Sequence, residues 1–387
     1  MKVSSHRQAE NIVARDYLTG EPRCLAWSEG RITRYAATAS QRAPANVFLA
    51  PALFDPQING YGGVDFQQDN LTADELLTAA RCLRRDGCAG FLLTLITDDW
   101  EMLTKRLTHL KKLRDQCPEL RRAIVGWHIE GPFISPEPGY RGAHEPTVML
   151  DPTPKRIRQL RKLTGTDPVL LTMAPERKAA IKAIKLAVQL GFKVSLGHCN
   201  PSPEAIRQAV DAGATGFTHL GNGCPQELDR HDNILWRVLD TPELTPSLIP
   251  DGMHVRPAPF RLYHRGLAGR NFFYTTDAMS AGGAPPGTYR LGKTELAVGE
   301  DQIVRKPGQT NFAGSALRPL EGVKRSAAML GVPWTITWQR MSEAPARFMG
   351  LPAGLVRGRE ATFCLVETNQ KKEIKSVRTF VGGVSKD

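Results

Sequence analysis

A carboxylate stands at the end of one apolar stretch of this chain. Residues 124–130 read IVGWHIE, and Gly131 and Pro132 follow directly. Desolvating a carboxylate at the buried end of a strand is costly unless a positive charge meets it. The sequence must therefore place a cation, or a cluster of donors, beside Glu130.

Two histidines follow similar apolar runs and supply candidate partners. His198 comes after KVSLG, and His219 comes after TGFT. Two imidazoles and one carboxylate, with a fourth position open, are typical of a catalytic zinc ion. We therefore predict that Glu130, His198 and His219 hold one divalent metal, Zn²⁺ or another divalent ion. The alternative is that each of the three is a separate polar residue satisfied by local hydrogen bonds. His128 shares the strand face of Glu130, and we expect it to pack or support the site rather than to bind metal.

Three further polar residues follow strands and suit the same chemistry. Asp277, in TTDAM, could take a proton from the attacking water and later deliver it to a leaving amine. The alternative role for this aspartate is that of an ordinary turn residue. Gln57 and Asn59 form an i, i+2 pair, but amide oxygens are poorer zinc ligands than imidazole. We therefore predict a single metal, with Gln57 and Asn59 at a vestigial second metal position.

These residues share one location if the chain forms a barrel. Eight β-like runs alternate with helical segments, which favours an α/β fold of the (β/α)8, TIM-like type. In such a barrel the site lies at the carboxyl ends of the strands, where Asp251 and His254 also fall. A doubly wound sheet is the rival, but Gly60-Tyr61-Gly62-Gly63 lacks the glycine pattern of its phosphate loop. The strands are predicted at 47–54, 90–97, 123–130, 169–176, 193–199, 215–220, 247–252 and 272–278.

The two ends of the chain differ from its middle. Residues 1–46 and 355–387 contain short β-like pieces, and we expect them to pair into one small β-sandwich domain. Residues 47–354 would then form the barrel. Residues 287–312 resemble a hairpin inserted after the eighth strand.

Composition limits the location and the partners of the protein. The chain has 387 residues, of which 41% are hydrophobic, and no apolar run approaches the ~18 residues of a membrane span. The first residues lack the apolar stretch of a secretory signal, so we expect a cytoplasmic protein without a membrane partner. The seven cysteines contain no CxxC pair, which indicates reduced thiols. The net charge of +12 falls mainly on helical faces, and no nucleic-acid-binding motif accompanies it.

Taken together, the motifs resemble a known family. FDPQINGYGGVDF, GWHIEGPFISPEPGYRGAHEP, SLGHCN, AGATGFTHLGNG, IPDGMHV, TTDAM and FAGSAL occur in the order found in N-acetylglucosamine-6-phosphate deacetylases. These enzymes are members of the amidohydrolase superfamily, and Gln57 and Asn59 match the single-metal branch of the family. The resemblance spans roughly residues 47–350 and implies metal-dependent release of acetate from an amino sugar 6-phosphate, usually by a homodimer.

The resemblance also implies roles for individual residues. Glu130, His198 and His219 match the metal ligands, Asp277 matches the catalytic acid/base, and His144 matches a residue that polarises the acetamide carbonyl. Arg230, from the neighbouring subunit, and His254 match the phosphate contacts. The predicted substrate contacts, to which Asp251 is added from its place after the seventh strand, are Ala143, His144, Asn222, Gly223, Arg230, Asp251, His254, Phe312, Ala313 and Gly314.

Two departures from the family pattern surround the sugar rather than the metal. The usual THLxNAM is THLGNGC, with Gly223 and Cys224 in place of alanine and methionine. The usual REPG is Arg230-His231-Asp232-Asn233. The alternatives are therefore a sister amidohydrolase that acts on another N-acetylhexosamine, phosphorylated or not, or on another acyl amide. A binding protein without catalysis and a basic nucleic-acid binder are further rivals, and neither fits the intact Glu/His/His/Asp set.

Overall fold

The structure, a computed structural model, describes residues 10–39, 42–305 and 314–385. The strands, numbered in chain order, are β1 (Glu10–Asp16), β2 (Pro22–Ser28), β3 (Arg31–Ala37), β4 (Val47–Pro51), β5 (Leu53–Ile58), β6 (Gly60–Tyr61), β7 (Val64–Asp65), β8 (Cys88–Ile96), β9 (Ile124–Glu130), β10 (Val169–Met173), β11 (Lys193–Leu196), β12 (Gly216–Phe217), β13 (Thr245–Leu248), β14 (Phe273–Tyr274), β15 (Gly287–Leu291), β16 (Thr294–Val298), β17 (Val304–Arg305), β18 (Phe363–Thr368), β19 (Ile374–Val381) and β20 (Val384–Ser385).

Helices separate most of the central strands. They are α1 (Ala73–Arg85), α2 (Trp100–Gln116), α3 (Pro118–Ala123), α4 (Pro154–Thr164), α5 (Ala180–Gln189), α6 (Pro203–Asp211), α7 (Ile234–Leu239), α8 (Pro257–Gly266), α9 (Pro319–Leu330), α10 (Trp334–Met341) and α11 (Glu343–Phe348), with a 3₁₀ turn at Pro146–Val148. None of these helices is long and apolar enough to cross a bilayer.

Eight parallel strands form the predicted barrel. Their order is β5, β8, β9, β10, β11, β12, β13 and β14. Between the first and last strands, a parallel bridge joins Ile58 to Ala278, and the amide of Asn59 donates to the carbonyl of Ala278 at 2.7 Å. Every residue of β5 and β10 is buried, as expected for strands covered by helices outside and by the barrel core inside. The (β/α)8 prediction is confirmed.

Local sequence signals explain where the barrel helices begin and end. The side chain of Thr72 caps α1 and forms a capping box with Glu75. Ser202 caps α6, and Pro203 occupies its first turn, where a missing N–H has no cost. Gly213 follows with a φ of +100°, which favours glycine. These helices turn an apolar face to the strands, so that they pack as a layer around the outside of the barrel.

Both ends of the chain contribute to a separate sheet. Its order is β20, β19, β18, β4, β1, β2 and β3. The sheet curls so that Trp27 of β2 packs on Phe363 of β18 and Phe380 of β19, with ring centroids 5.3 and 6.2 Å away. This small core gives the expected β domain its own apolar centre.

One predicted strand proves to be two. The run at 47–54 divides into β4, which pairs with β1 and β18, and β5, which pairs with β8. Ala52 is the residue between them. An apolar run shows burial but does not show which sheet buries it, so its sequence could not reveal the division. We therefore propose that the boundary between the terminal domain and the barrel lies near Ala52 rather than after residue 46.

The segment after β14 carries the expected insertion. Strands β15, β16 and β17 form a small antiparallel sheet. Its first turn reaches the barrel, where the amide of Gly292 donates to Oδ2 of Asp65 at 2.8 Å. Residues 306–312 of the predicted 287–312 insertion lie outside the described residues.

Candidate active site

Three of the predicted site residues stand just after barrel strands in a strained backbone conformation. His198, His219 and Asp277 have φ values of +50°, +36° and +51°. The left-handed region costs a non-glycine residue roughly 1–2 kcal/mol, and such strain tends to occur at functional sites. Hydrogen bonds hold two of them: Ser135 N donates to the carbonyl of His198 at 2.9 Å, and His219 N donates to Ser247 Oγ at 2.8 Å. The predicted strands run past the observed ones because the chain turns at these residues.

Glu130, His198 and His219 form one tight cluster of donor atoms. Nε2 of His219 lies 3.1 Å from Oε1 of Glu130 and 3.1 Å from Nε2 of His198. Nε2 of His198 lies 3.4 Å from the same carboxylate oxygen. Three ligands bound tetrahedrally at zinc distances stand about 3.3 Å apart. The cluster therefore has the donor types and the spacing that one divalent cation requires.

The protein surroundings prepare this cluster for a cation. Burial opposes ionisation of Glu130, but its hydrogen bonds with His198 and His219 outweigh burial and hold its pKa well below the usual range. Nδ1 of His198 lies 3.0 Å from the carbonyl of Tyr140. That contact turns Nδ1 toward the carbonyl and leaves Nε2 as the nitrogen that faces the cluster, the orientation that a metal-binding histidine needs.

His144 completes a second, looser set of donors. One of its ring nitrogens lies within 4.8 Å of ligand atoms of Glu130 and His198. Its ring packs edge-on against His198, with centroids 4.5 Å apart, and its Nδ1 lies 2.8 Å from Oγ1 of Thr97. Burial lowers the pKa of His144 to about 3, so the ring is neutral. The set with His219 is tighter, and it is the set that the sequence predicts.

Gln57 and Asn59 point together, as their spacing predicts, and they point at Asp277. Nε2 of Gln57 lies 2.9 Å from Oδ1 of Asp277 and 2.9 Å from Oε1 of Glu130. Nδ2 of Asn59 lies 2.7 Å from the same Oδ1 of Asp277. Burial, together with the charge of Glu130, raises the pKa of Asp277 to about 7. Their role as a vestigial metal position stays a prediction, while the contacts show two amides that donate to one carboxylate.

A clamp that sequence reasoning missed lies beneath Asp277. The buried carboxylate of Asp55 accepts from the hydroxyls of Thr275 and Thr276 and from the amide of Thr276. Burial raises the pKa of Asp55, against these hydrogen bonds. A charged residue within the apolar run LFDPQI was the available signal. Thr97, the partner of His144, gave no comparable signal because a threonine at a strand end is common.

Asp251 and His254 lie together in the loop after β13. Oδ2 of Asp251 is 2.6 Å from Nδ1 of His254, and its Oδ1 accepts from the amides of Met253 and His254. Burial would lower the pKa of His254, but the bond to Asp251 outweighs it and raises that pKa. The pKa of Asp251 is lowered in turn, with burial opposing. The loop therefore favours the charged form of the imidazole, and the charge of Asp277 favours it further.

The remaining predicted substrate residues are distributed around this centre. Nδ2 of Asn222 donates to the carbonyl of His219 at 3.3 Å. A Cβ added to Gly223 would stand 3.0 Å from Nδ1 of His198, so Gly223 lies directly on that ring. Gly314 packs against Met279, and Ala143 is exposed beside His144. Phe312 and Ala313 lie outside the described residues.

Among the described residues, no contact joins the side chain of Arg230 to the candidate site of its own chain. Its side chain is exposed. The carbonyl of Arg230 accepts from Nε1 of Trp236 at 3.2 Å. Within the described part of the chain, its guanidinium makes no hydrogen bond or ion pair. This exposure is compatible with the predicted contact to a second subunit, which stays a prediction.

His128 lies in the barrel interior below the donor cluster. It is fully buried, and its Nε2 lies 2.8 Å from Oγ1 of Thr172, which continues to Thr218 at 2.8 Å. Burial lowers the pKa of His128 to about 4. A neutral imidazole within a hydroxyl network agrees with the predicted supporting role.

Known proteins share this architecture and sequence. No protein-family model matches the chain. The N-acetylglucosamine-6-phosphate deacetylase of Bos taurus is 31% identical over 343 residues, covering 86% of this chain and 80% of that protein. The N-acetylgalactosamine-6-phosphate deacetylase of Shewanella sp. (strain ANA-3) is 29% identical over 333 residues, covering 84% and 80%.

A solved structure extends the similarity to almost the whole chain. It is an aspartate-to-alanine mutant of N-acetyl-D-glucosamine-6-phosphate deacetylase from Mycobacterium smegmatis in complex with N-acetyl-D-glucosamine-6-phosphate. The two chains share 27% identity, a TM-score of 0.86, and coverage of 98% and 99%. With identity above 30% to a relative covered over four-fifths of its length, this chain belongs to the N-acetylglucosamine-6-phosphate deacetylase family.

Proposed function

We propose that the protein hydrolyses the acetamide of N-acetylglucosamine 6-phosphate to glucosamine 6-phosphate and acetate. The observation that carries this function is the triangle of donor atoms on Glu130, His198 and His219 beside Asp277. A single glutamine amide contacts both carboxylates at 2.9 Å, so the metal-binding and proton-transfer groups face one cleft. Family membership supplies the substrate class.

The donor triangle would hold one divalent cation, which we propose to be Zn²⁺. When bound, such an ion activates water and polarises the carbonyl of an amide. The protein contributes a fixed carboxylate and two imidazole nitrogens. It also buries all three groups, so that solvent screens the attraction between the carboxylate and a cation only weakly.

Asp277 is the group that moves protons in this scheme. Without a cation, burial places its pKa at about 7. A nearby cation favours the ionised form of a carboxylate, which is the form that can accept a proton from the attacking water. The same carboxyl, once protonated, then delivers that proton to the nitrogen of the leaving amine.

The remaining residues bind and orient the sugar phosphate. His144 is neutral, and with the Thr97 hydroxyl donating to Nδ1, its Nε2–H can donate to the acetamide oxygen. Asn222 and Gly223 lie beside His219 and His198 and would contact the sugar. His254, whose charged form is favoured by the bond to Asp251, would bind the phosphate. The exposed Arg230 would reach the phosphate of the partner subunit in a homodimer, through a forked contact.

A second substrate deserves the same test. The Shewanella relative is an N-acetylgalactosamine-6-phosphate deacetylase, and it matches this chain over 84% of its length. Gly223 and Cys224 replace the usual alanine and methionine, and Gly223 lies against the ring of His198. Those changes alter the wall that we expect to face the sugar, so the epimer at C4 is the second candidate.

We propose a cytoplasmic location for the enzyme. Its substrate class is a phosphorylated sugar, and all seven of its cysteines are free thiols, as is typical of cytosolic proteins.

The experiment is acetate release from N-acetylglucosamine 6-phosphate, N-acetylgalactosamine 6-phosphate and the two unphosphorylated sugars. We expect the first to be cleaved fastest, and we expect a chelator to abolish turnover and added Zn²⁺ to restore it. Asp277→Asn is the matched control: it should lose at least ~10³-fold in kcat while one metal ion stays bound per subunit. Cleavage of no acetamido sugar by the metal-loaded protein, or an active Asp277→Asn variant, would contradict the proposal.

A further inference from the structure

The candidate site contains two carboxylates, those of Glu130 and Asp277, for which we propose different functions. Glu130 has an exposure of 3%, and it belongs to the donor triangle. Asp277 is on the neighbouring side of the same cleft, and its ionisation is opposed by the charge of Glu130. Like charges at this range repel strongly in a buried site. A neutral hydrogen-bond donor could hold the carboxylates of Glu130 and Asp277 in place without taking the charge of either.

Gln57 makes that connection. Its Nε2 lies 2.9 Å from Oε1 of Glu130 and 2.9 Å from Oδ1 of Asp277. A primary amide nitrogen carries two hydrogens, one for each carboxylate. The opposite orientation would aim the amide oxygen at two acceptors, so the hydrogen-bond partners themselves fix the side chain.

The two oxygens of Asp277 have different surroundings. Oδ1 accepts from Gln57 at 2.9 Å and from Nδ2 of Asn59 at 2.7 Å. No described residue hydrogen-bonds Oδ2. A carboxylate anchored twice through one oxygen presents the other in a fixed direction.

The anchor is itself fixed to both strands. The backbone amide of Gln57 donates to Oδ1 of Asp55 at 3.1 Å, and Asp55 binds Thr275 and Thr276, the two residues before Asp277. The side chain of Gln57 therefore connects the first barrel strand to Asp277 directly. Its backbone amide makes a second connection, through Asp55, to the end of the last strand.

On the basis of the proposed function, we infer that Gln57 is a positioning residue. It holds the metal-binding carboxylate of Glu130 and the carboxylate of Asp277 at one separation and, with Asn59, leaves Oδ2 of Asp277 as the atom that exchanges the proton. Gln57 thus has a positioning role in this enzyme, although its place in the sequence is that of the predicted vestigial metal position.

The first test separates rate from binding. Gln57→Met keeps the length of the side chain and removes both N–H donors. We expect kcat to fall about 100-fold, the effect of a slightly misplaced catalytic group, with KM within about threefold and one metal ion still bound per subunit. Gln67→Met is the matched control, because the buried Gln67 amide donates to the backbone carbonyl of Thr94 at 2.9 Å and not to Asp277. We expect its kcat to stay within about threefold.

An unchanged kcat in Gln57→Met would overturn the inference. A loss of kcat that follows loss of metal, or an equal loss in Gln67→Met, would overturn it as well. Asn59→Leu, which removes the second donor to Oδ1, provides an independent variant should Gln57→Met fail to fold, and it should also lower kcat with little effect on KM.

The second test needs no activity. Thermal unfolding of the metal-free protein is measured for Gln57→Met, Asp277→Ala and the double variant. We expect Gln57→Met to lower Tm by about 2–4 °C, as for loss of one buried hydrogen-bond partner. In the Asp277→Ala background the same change should lower Tm by about half as much, because only the bond to Glu130 remains to be lost. Strictly additive shifts would contradict the bridge. If the wild-type protein cleaves no acetamido sugar, the proposed function fails while this cycle still decides whether the bridge exists.

Discussion

At the scale of single residues, Asp251 shows how one side chain serves both a loop and a charge. Its Oδ1 accepts hydrogen bonds from two backbone amides and so shapes the turn, and its Oδ2 contacts Nδ1 of His254. The pKa of Asp251 is lowered and that of His254 is raised. The carboxylate contributes stability that is lost as pH falls through its folded pKa, and the imidazole contributes stability that is lost as pH rises through its own. The pair is therefore strongest between these two values.

The pair predicts a pH dependence of phosphate binding. Asp251→Asn keeps an oxygen for the turn but removes the charge that raises the pKa of His254. Burial then lowers that pKa, so the imidazole loses its proton at a lower pH. We expect KM for the phosphorylated sugar at pH 7.5 to rise about tenfold, the equivalent of one pKa unit of interaction, with little change for the unphosphorylated sugar. The measurement is KM between pH 5.5 and 8.5. An equal rise for both sugars would show that the loop, and not the charge, had been damaged.

At the scale of elements, the strand ends place the predicted metal ligands and the following loops hold them. His198 leaves β11 in a left-handed conformation, with two glycines against its ring. A Cβ at Gly142 would meet Cε1 of His198 at 3.0 Å, and one at Gly223 would meet Nδ1 at 3.0 Å. Both glycines have a φ of +59°. The ring can hold its position because neither glycine places a side chain against it.

Gly142→Ala tests this packing. The added methyl group would push His198 away from Glu130 and His219. We expect metal affinity to fall about 10–100-fold, as when the supporting shell of a ligand is disturbed, measured by competition with a chelating dye. Gly331→Ala is the control, because its φ of +65° carries similar backbone strain while a Cβ there meets nothing within 4 Å. It should lower stability by about 1 kcal/mol and leave the metal bound. Equal metal affinity in both variants would contradict the prediction.

At the scale of the whole molecule, Arg230, the predicted phosphate contact, lies at the surface of its own chain. Arg230 is exposed and, among the described residues, has no side-chain partner, while Trp236 nearby is 47% exposed. The proposed homodimer would cover such a surface and bring Arg230 to the neighbouring site. Each active site would then require residues from two chains.

Mixing two inactive variants tests that arrangement. Arg230→Ala removes the residue lent to the partner, and Asp277→Asn disables the chain's own site. In an equal mixture after subunit exchange, half of the dimers contain both chains, and each of these has one intact site. We expect about a quarter of wild-type activity, measured by acetate release, against much lower rates for either variant alone. A mixture no more active than the mean of its components would show that Arg230 acts within its own subunit.

The sequence alone determined the barrel and its centre. Alternating strands and helices, with Glu130, His198, His219 and Asp277 at strand ends, suffice because parallel strands in a barrel bring their carboxyl ends to one face. The residue types then fix the chemistry, since two imidazoles and a carboxylate suit a divalent cation whatever the connecting loops contain. Those inferences depend on local patterns, which a sequence displays directly.

Only the tertiary structure decided how the centre is held. Asp55 and Thr275 are 220 residues apart in the sequence and form a hydrogen bond that no local pattern predicts. The same holds for the bond of Thr97 to His144 and for the division of 47–54 between two sheets. Gln57 and Asn59 were recognisable as a pair, but the direction of their amide nitrogens depends on where Asp277 lies. Hydrogen-bond partners and strand neighbours are set by packing between distant segments, so they appear only once the chain has folded.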